Sequence, residues 1–217
     1  MNHLQVVLFS SSVLIPSVIA AMKFRSVERS FYPFIFFIWV GFLNEIVSYI
    51  ISFRGGSTTF NNNLYILAEA LLILWQFKEW DIFASFKKGF VVLAASLIIV
   101  WGLDHGNKQS LGSINLNFRL LYSLMIVLIS IHVNNSLVFT VRRSLVKSPV
   151  FLICNGFTIY FTYKILAEVF WIYGLNTTKA FRIDVYIIMA WINAFTNIIY
   201  AFAILCIPKK PHYIELS

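Results

Sequence analysis

Seven long apolar stretches alternate with short polar segments along this chain, at roughly 4–22, 31–53, 62–78, 86–103, 116–139, 149–173 and 183–207. A helix needs about 20 mostly apolar residues to cross a bilayer. The pattern therefore predicts an all-α membrane protein, a bundle of seven transmembrane helices forming one domain over 1–217. The punctuation agrees. Gly55-Gly56-Ser57 with Asn61-Asn62-Asn63 predicts one turn, and Asp104-His105-Gly106-Asn107 predicts another. Ser148-Pro149 supplies a cap and a first helical position for the sixth helix, and Pro208 ends the seventh.

Composition strengthens this reading. Of 217 residues, 59% are hydrophobic and 12% charged, and the mean hydropathy is +0.80. A soluble domain is about 25% charged and could not hide so much apolar surface. The net charge of +8 first suggests nucleic acid, but its distribution argues for a membrane. Lys23, Arg25, Arg29, Lys78, Lys87, Lys88, Arg142, Arg143, Lys147, Lys209 and Lys210 fall on one side, eleven in all. Only Arg54, Lys108, Lys179, Arg182 and Arg119 fall on the other, and Lys164 lies within the sixth helix. Cytoplasmic loops carry the excess of Lys and Arg, which places the N-terminus outside and the C-terminus inside. The first stretch is preceded by no Lys or Arg and followed by a basic cluster, the reverse of a secretory signal. It reads as a retained helix, with a bend expected at Pro16. The ten-residue tail after the seventh helix is too short for an output domain.

Ionisable side chains inside a bilayer are costly and mark candidate sites. Four stand out: Glu45, Glu69, Lys164 and Glu168. Helical spacing groups them with other polar residues. Gly41, Glu45, Ser48 and Ser52 share a face of the second helix, and Asn62, Tyr65, Glu69 and Gln76 share one of the third. Tyr160, Lys164 and Glu168 recur by four on the sixth, and Tyr186, Asn193, Asn197 and Tyr200 share a face of the seventh. The fourth has only Ser96, so it is expected at the periphery. At about 1.5 Å rise per residue, Glu69 lies within about 3 Å of the midplane, Glu45 and Lys164 roughly 5 Å outside it, and Glu168 roughly 10 Å outside. The expectation is a polar cluster open to the outside between helices 2, 3, 6 and 7. Glu45, Glu69, Lys164, Glu168, Tyr65, Asn193, Asn197 and Arg119 form the candidate ligand site. A purely structural alternative stays open: Lys164 and Glu168 can pair with each other at a spacing of four, and Asn193 and Asn197 can be interhelical glue.

Other chemistries find little support. There is no Ser/His/Asp set, no HExxH and no Gly-rich phosphate loop. Cys154 and Cys206 fall near cytoplasmic helix ends, where a disulfide is not expected. His3, His105, His132 and His212 are scattered, so no metal or cofactor is implied. A retinal protein would want a lysine on the last helix, and the seventh has none within the membrane. Asn176-Thr177-Thr178 matches a glycosylation acceptor on an outer loop. Glu45 and Tyr65-Ile66 are echoed by Glu168 and Tyr186-Ile187, which suggests a parallel 3+1+3 repeat.

The stretch Phe60-Asn61-Asn62-Asn63-Leu64-Tyr65-Ile66-Leu67-Ala68-Glu69, with Asn44-Glu45 and Asn197-Ile198-Ile199-Tyr200, resembles small seven-helix membrane proteins of Bacteroidota. The resemblance implies a bacterial inner membrane and carries over no catalytic residue. The expected function is binding of a small solute or ion from the outer side, for transport or for sensing through a separate signalling partner. Three acids against one lysine favour a cation or an amine-bearing solute. The alternatives are a non-catalytic subunit that partners another membrane protein and, behind it, an intramembrane enzyme. The partners expected are the lipid bilayer and that solute, with no nucleic acid.

Overall fold

The computed structural model describes residues 11–84, 86, 88–106, 115–140, 145–173 and 178–209. They form seven α-helices: α1 (Leu14–Lys23), α2 (Tyr32–Phe53), α3 (Thr59–Glu79), α4 (Gly89–Gly106), α5 (Leu116–Thr140), α6 (Pro149–Tyr173) and α7 (Lys179–Cys206). Among the described residues the only β pairing is an isolated antiparallel bridge between Val27 and Lys209.

Four segments are long and apolar enough to cross a membrane: Arg29–Phe53, Leu116–Phe139, Pro149–Phe170 and Ile187–Cys206. Leu14–Lys23 and Gly89–Asp104 are shorter apolar helices. The helix α3 has the length but carries Asn61, Asn62, Asn63, Glu69 and Gln76, which lower its hydropathy. Asn63, Glu69 and Gln76 are buried inside the protein. Polar residues that find protein partners do not have to be counted against lipid. The outward faces show the complementary pattern, with Ile46 and Ile50 of α2, Ile99 and Leu103 of α4, Leu124 and Leu128 of α5, and Phe195 and Phe202 of α7 all exposed.

Each helix packs on the next in sequence, and α1 packs on α7, so the seven close into a ring. An inner contact joins α3 to α5. The α4 helix packs against its two chain neighbours and buries Leu97 toward them. The α1–α7 seam is closed by Lys23, whose Nζ donates to the carbonyls of Ile204 (3.1 Å) and Leu205 (2.8 Å). A cation at those last carbonyls also meets the negative end of the helix dipole. Glu28 N–H donates to Pro208 O at 3.2 Å beside the Val27 bridge.

Local chemistry sets most helix ends. Gly55, at φ 74°, closes α2: Gly56 N–H reaches Ile51 O and Gly55 N–H reaches Ser52 O. This is the Schellman pattern, which wants a left-handed residue after the cap. Asp81, at φ 58°, does the same for α3, with Ile82 N–H on Phe77 O and Asp81 N–H on Lys78 O. Phe151 N–H donates to Ser148 Oγ at 3.4 Å, so the Ser-Pro pair starts α6 as expected. The α2 start is capped from another helix. Phe34 N–H donates to Gln76 Oε1 (2.8 Å) while Gln76 Nε2 donates to Ser30 O (2.6 Å).

Two expectations change here. Asp104, His105 and Gly106 belong to α4 rather than to a turn. Asp104 is buried and accepts from Asn117 Nδ2 and from Phe118 N–H, both at 3.2 Å, so it caps the first turn of α5 without leaving its own helix. Within the described residues Pro16 lies not inside a helix but in the first turn of α1, after the 3-10 turn Ser11–Val13, where its missing N–H owes no bond. The expected first helix began at residue 4, and residues 4–10 lie outside the described residues.

Candidate ligand site: a buried ion pair beside a polar cavity

Glu69 occupies the middle of α3 and faces the axis of the ring, with a relative exposure of 1%. Its carboxylate accepts three hydrogen bonds. Tyr65, one turn earlier on α3, donates to Oε1 at 3.0 Å. Tyr122 of α5 donates to Oε2, and Lys164 of α6 donates to the same atom at 2.9 Å. Lys164 Nζ also donates to the Tyr122 hydroxyl. The ammonium is enclosed by the rings of Tyr122, Phe161 and Tyr160, whose centroids lie 5.0, 5.2 and 5.5 Å away. Three helices thus converge on one charge-neutral cluster, held by charge-assisted bonds and cation–π contacts.

One turn further along α6, Arg119 Nε lies 2.7 Å from Glu168 Oε1, bridging α5 and α6. The distance makes it an ion pair, but the N–H is not aligned as a hydrogen bond. Arg119 keeps a quarter of its side chain exposed, while Glu168 is buried. In place of the Lys164–Glu168 pair that the spacing left open, there are two separate pairs, Lys164–Glu69 and Arg119–Glu168. Spacing of four put the two side chains on one face, but each finds a better-placed partner across the bundle.

On the other side of Glu69 an open cavity of about 100 Å³ lies between α2, α3, α6 and α7. Gly41, Asn44 and Glu45 line it from α2, Tyr65 and Glu69 from α3, Tyr160 from α6, and Asn193, Thr196, Asn197 and Tyr200 from α7. Val13, Phe37 and Ile38 complete its apolar wall. The volume suits a few waters or one small solute. Its outer rim is tied by Asn61 Nδ2, which donates to Asn44 Oδ1 (2.7 Å) and Ser48 Oγ (3.1 Å). Asn197 Nδ2 donates to Ser12 Oγ at 2.8 Å, linking the lining to the start of α1.

Several groups on the lining have no partner among the described residues. The Tyr200 hydroxyl and the Thr196 hydroxyl are buried without a hydrogen bond. Glu45 is exposed at the cavity and takes part in no described hydrogen bond or ion pair. Buried polar groups are normally satisfied, so two orphaned hydroxyls on one cavity point to a polar occupant. Among the described residues, no Lys or Arg lines the space. With Glu69 paired to Lys164, Glu45 is the carboxylate of the lining left without a described basic partner.

Of the candidate site residues, Glu45, Glu69, Tyr65, Asn193 and Asn197 thus share one cavity. Lys164 stands behind Glu69, and Arg119 and Glu168 form a separate pair. The side chain of Tyr186 lies outside the described residues. Gln76, on the same expected stripe as Glu69, serves the start of α2 instead. Glu45 and Glu168, equivalent in the expected repeat, take different roles. The reading of the sequence missed Tyr122, Tyr160 as a ring wall, and Thr196. Tyr122 follows Arg119 by three on α5, a spacing that puts both on one helical face. His132 is exposed on α5, and Cys154 and Cys206 are free. Among the described residues, no three His, Cys, Asp or Glu side chains gather as metal ligands. Comparison of the chain with known proteins finds no matching protein-family model, no similar curated protein and no similar solved structure.

Proposed function

We propose that this chain spans the cytoplasmic membrane seven times, N-terminus outside, and binds a small ammonium-type cation in the α2/α3/α6/α7 cavity from the outer side. Transport or sensing follows from that binding. One observation carries the reading: among the described residues an unpartnered carboxylate, Glu45, and two orphaned hydroxyls, Thr196 and Tyr200, line one cavity with no basic residue on it. The rings of Phe37, Tyr160 and Tyr200 add aromatic faces, which attract cations. Glu45 sits at membrane depth on α2 yet is exposed from the protein, so a water-filled mouth is far cheaper than lipid around it. The topology is supported by the eleven-to-five asymmetry of Lys and Arg.

The test uses the purified full chain and methylammonium as the probe. A ligand at about 100 times its Kd stabilises by about 2.7 kcal/mol, which at this chain length raises the melting temperature by roughly 5–10 °C. Glu45→Gln should abolish that shift while leaving the ligand-free melting temperature nearly unchanged, because Glu45 has no partner to lose. Wild-type protein that gains no stability from methylammonium would sink the reading, and the non-catalytic subunit would then lead. The orientation is checked separately: Ser57→Cys should react with an impermeant thiol reagent on intact cells, and Ser144→Cys should not.

A further inference from the structure

Glu69 is claimed from two sides. One side of its carboxylate lines the cavity, and the other holds Lys164. An ammonium ligand that advances from Glu45 to Glu69 would place two cations on one carboxylate, and like charges about 4 Å apart in a protein interior repel strongly. Lys164 has somewhere to go. Glu168 stands one turn outward on the same face of α6, within range to act on its charge. A lysine has a flexible four-carbon stem, and side chains four apart on a helix meet. Arg119, which now holds Glu168, is partly exposed and can be solvated when it lets go. The charges facing Lys164 are Glu69 from α3, Arg119 from α5 and Glu168 from α6, with the hydroxyl of Tyr122 and the ring of Tyr160 beside it.

We infer that Lys164 is an internal competitor for the ligand of the cavity, an inference that rests on the cavity reading above. With no ligand it neutralises Glu69. When a ligand ammonium takes Glu69, Lys164 turns outward to Glu168 and displaces Arg119 toward the outer surface. Binding in the centre of the ring is thereby converted into a rearrangement at the outer ends of α5 and α6. Neither Arg119 nor Glu168 lines the cavity, yet both set the affinity within it, and with opposite signs.

The experiment measures methylammonium affinity calorimetrically on the purified full chain, as wild type, Glu168→Gln and Arg119→Gln. Glu168→Gln removes the second seat for Lys164 and should weaken binding. Arg119→Gln vacates that seat and should tighten it. If Lys164 holds Glu69 in about nine molecules of ten, full release of the competitor improves the apparent Kd about tenfold, which bounds the gain in Arg119→Gln. Loss of the Arg119–Glu168 pair as mere scaffolding would move both variants the same way. The bare field of a lost charge would move them oppositely with or without Lys164. The signature is therefore opposite signs that vanish in a Lys164→Met background. Two variants that bind as wild type does, that shift in the same direction, or that keep their opposite signs without Lys164 overturn the exchange and leave the cavity reading intact. A wild type that binds no methylammonium removes both.

Discussion

Lys164→Met is the sharpest test of how the centre of the ring is held together. Glu69 and Lys164 are 1% and 3% exposed, and 2.9 Å apart. Removing one partner of a buried pair typically costs about 3–5 kcal/mol, because the other charge stays buried and uncompensated. Lys164→Met should fall near about 3 kcal/mol, since the hydroxyls of Tyr65 and Tyr122 still donate to the carboxylate. Glu69→Gln should also fall within about 3–5 kcal/mol, since the ammonium is left with neutral partners, Tyr122 and the ring faces, or must break the Arg119–Glu168 pair to reach Glu168. The double variant removes both charges at nearly conserved volume, and it should fall short of the sum of the singles by at least about 3 kcal/mol. Thermal unfolding of detergent-purified protein measures this. At this chain length, Lys164→Met should lower the melting temperature by roughly 6–12 °C. The matching cycle of Lys164→Met with Glu168→Gln should show a much smaller coupling in ligand-free protein. Additive losses at Lys164 and Glu69, or a larger coupling to Glu168, would refute the pairing.

Three further outcomes are expected. Gln76→Leu should destabilise by about 2–4 kcal/mol in the same assay, because Phe34 N–H and Ser30 C=O are each left unpaired. Gln76→Glu should also destabilise, since a carboxylate cannot donate to Ser30. At Asp81 the left-handed backbone predicts the order Gly at least equal to Asp, then Val lower by about 1–2 kcal/mol, read from melting temperatures. Gly156→Ala should cost about 1–3 kcal/mol. It should also weaken methylammonium binding, because a Cβ there would stand 2.4 Å from Cε1 of Tyr200, a cavity wall.

Much of the fold was legible because a membrane-crossing helix needs both length and apolarity. The bounds of α2, α5 and α6 fall within a residue of the apolar runs that predicted them. Legibility stopped where a polar residue serves a neighbouring helix. Asp104 looks like a turn residue until the first turn of α5 is seen donating to it. The same limit governs the site. Periodicity told which face of its own helix Glu69, Lys164 or Asn193 occupies, and so indicated a cavity among α2, α3, α6 and α7. It could not tell which side chain stands opposite. Lys164 met Glu69 rather than Glu168, and Gln76 met the start of α2, because these pairings depend on how the ring closes. Tyr122 escaped notice because an aromatic residue in an apolar helix looks like packing until its hydroxyl is seen on a carboxylate.

The closure of that ring has a consequence for how the protein is made. Lys23 meets Leu205 across 182 positions of sequence, and Ser12 meets Asn197 across 185. Chains grow at about 5–20 residues per second, so the first helix waits roughly 10–40 s for the last. During that interval its inner face, with Ser17 and Ala20, has no α7 to lie against. Assembly therefore finishes only once α7 has been made, and the α1–α7 seam is the last of the ring to close. A ribosome stalled before α7 would leave an open horseshoe of helices, with the central ion pair already made and its flank uncovered. Quality control of this protein would then be the recognition of that open edge.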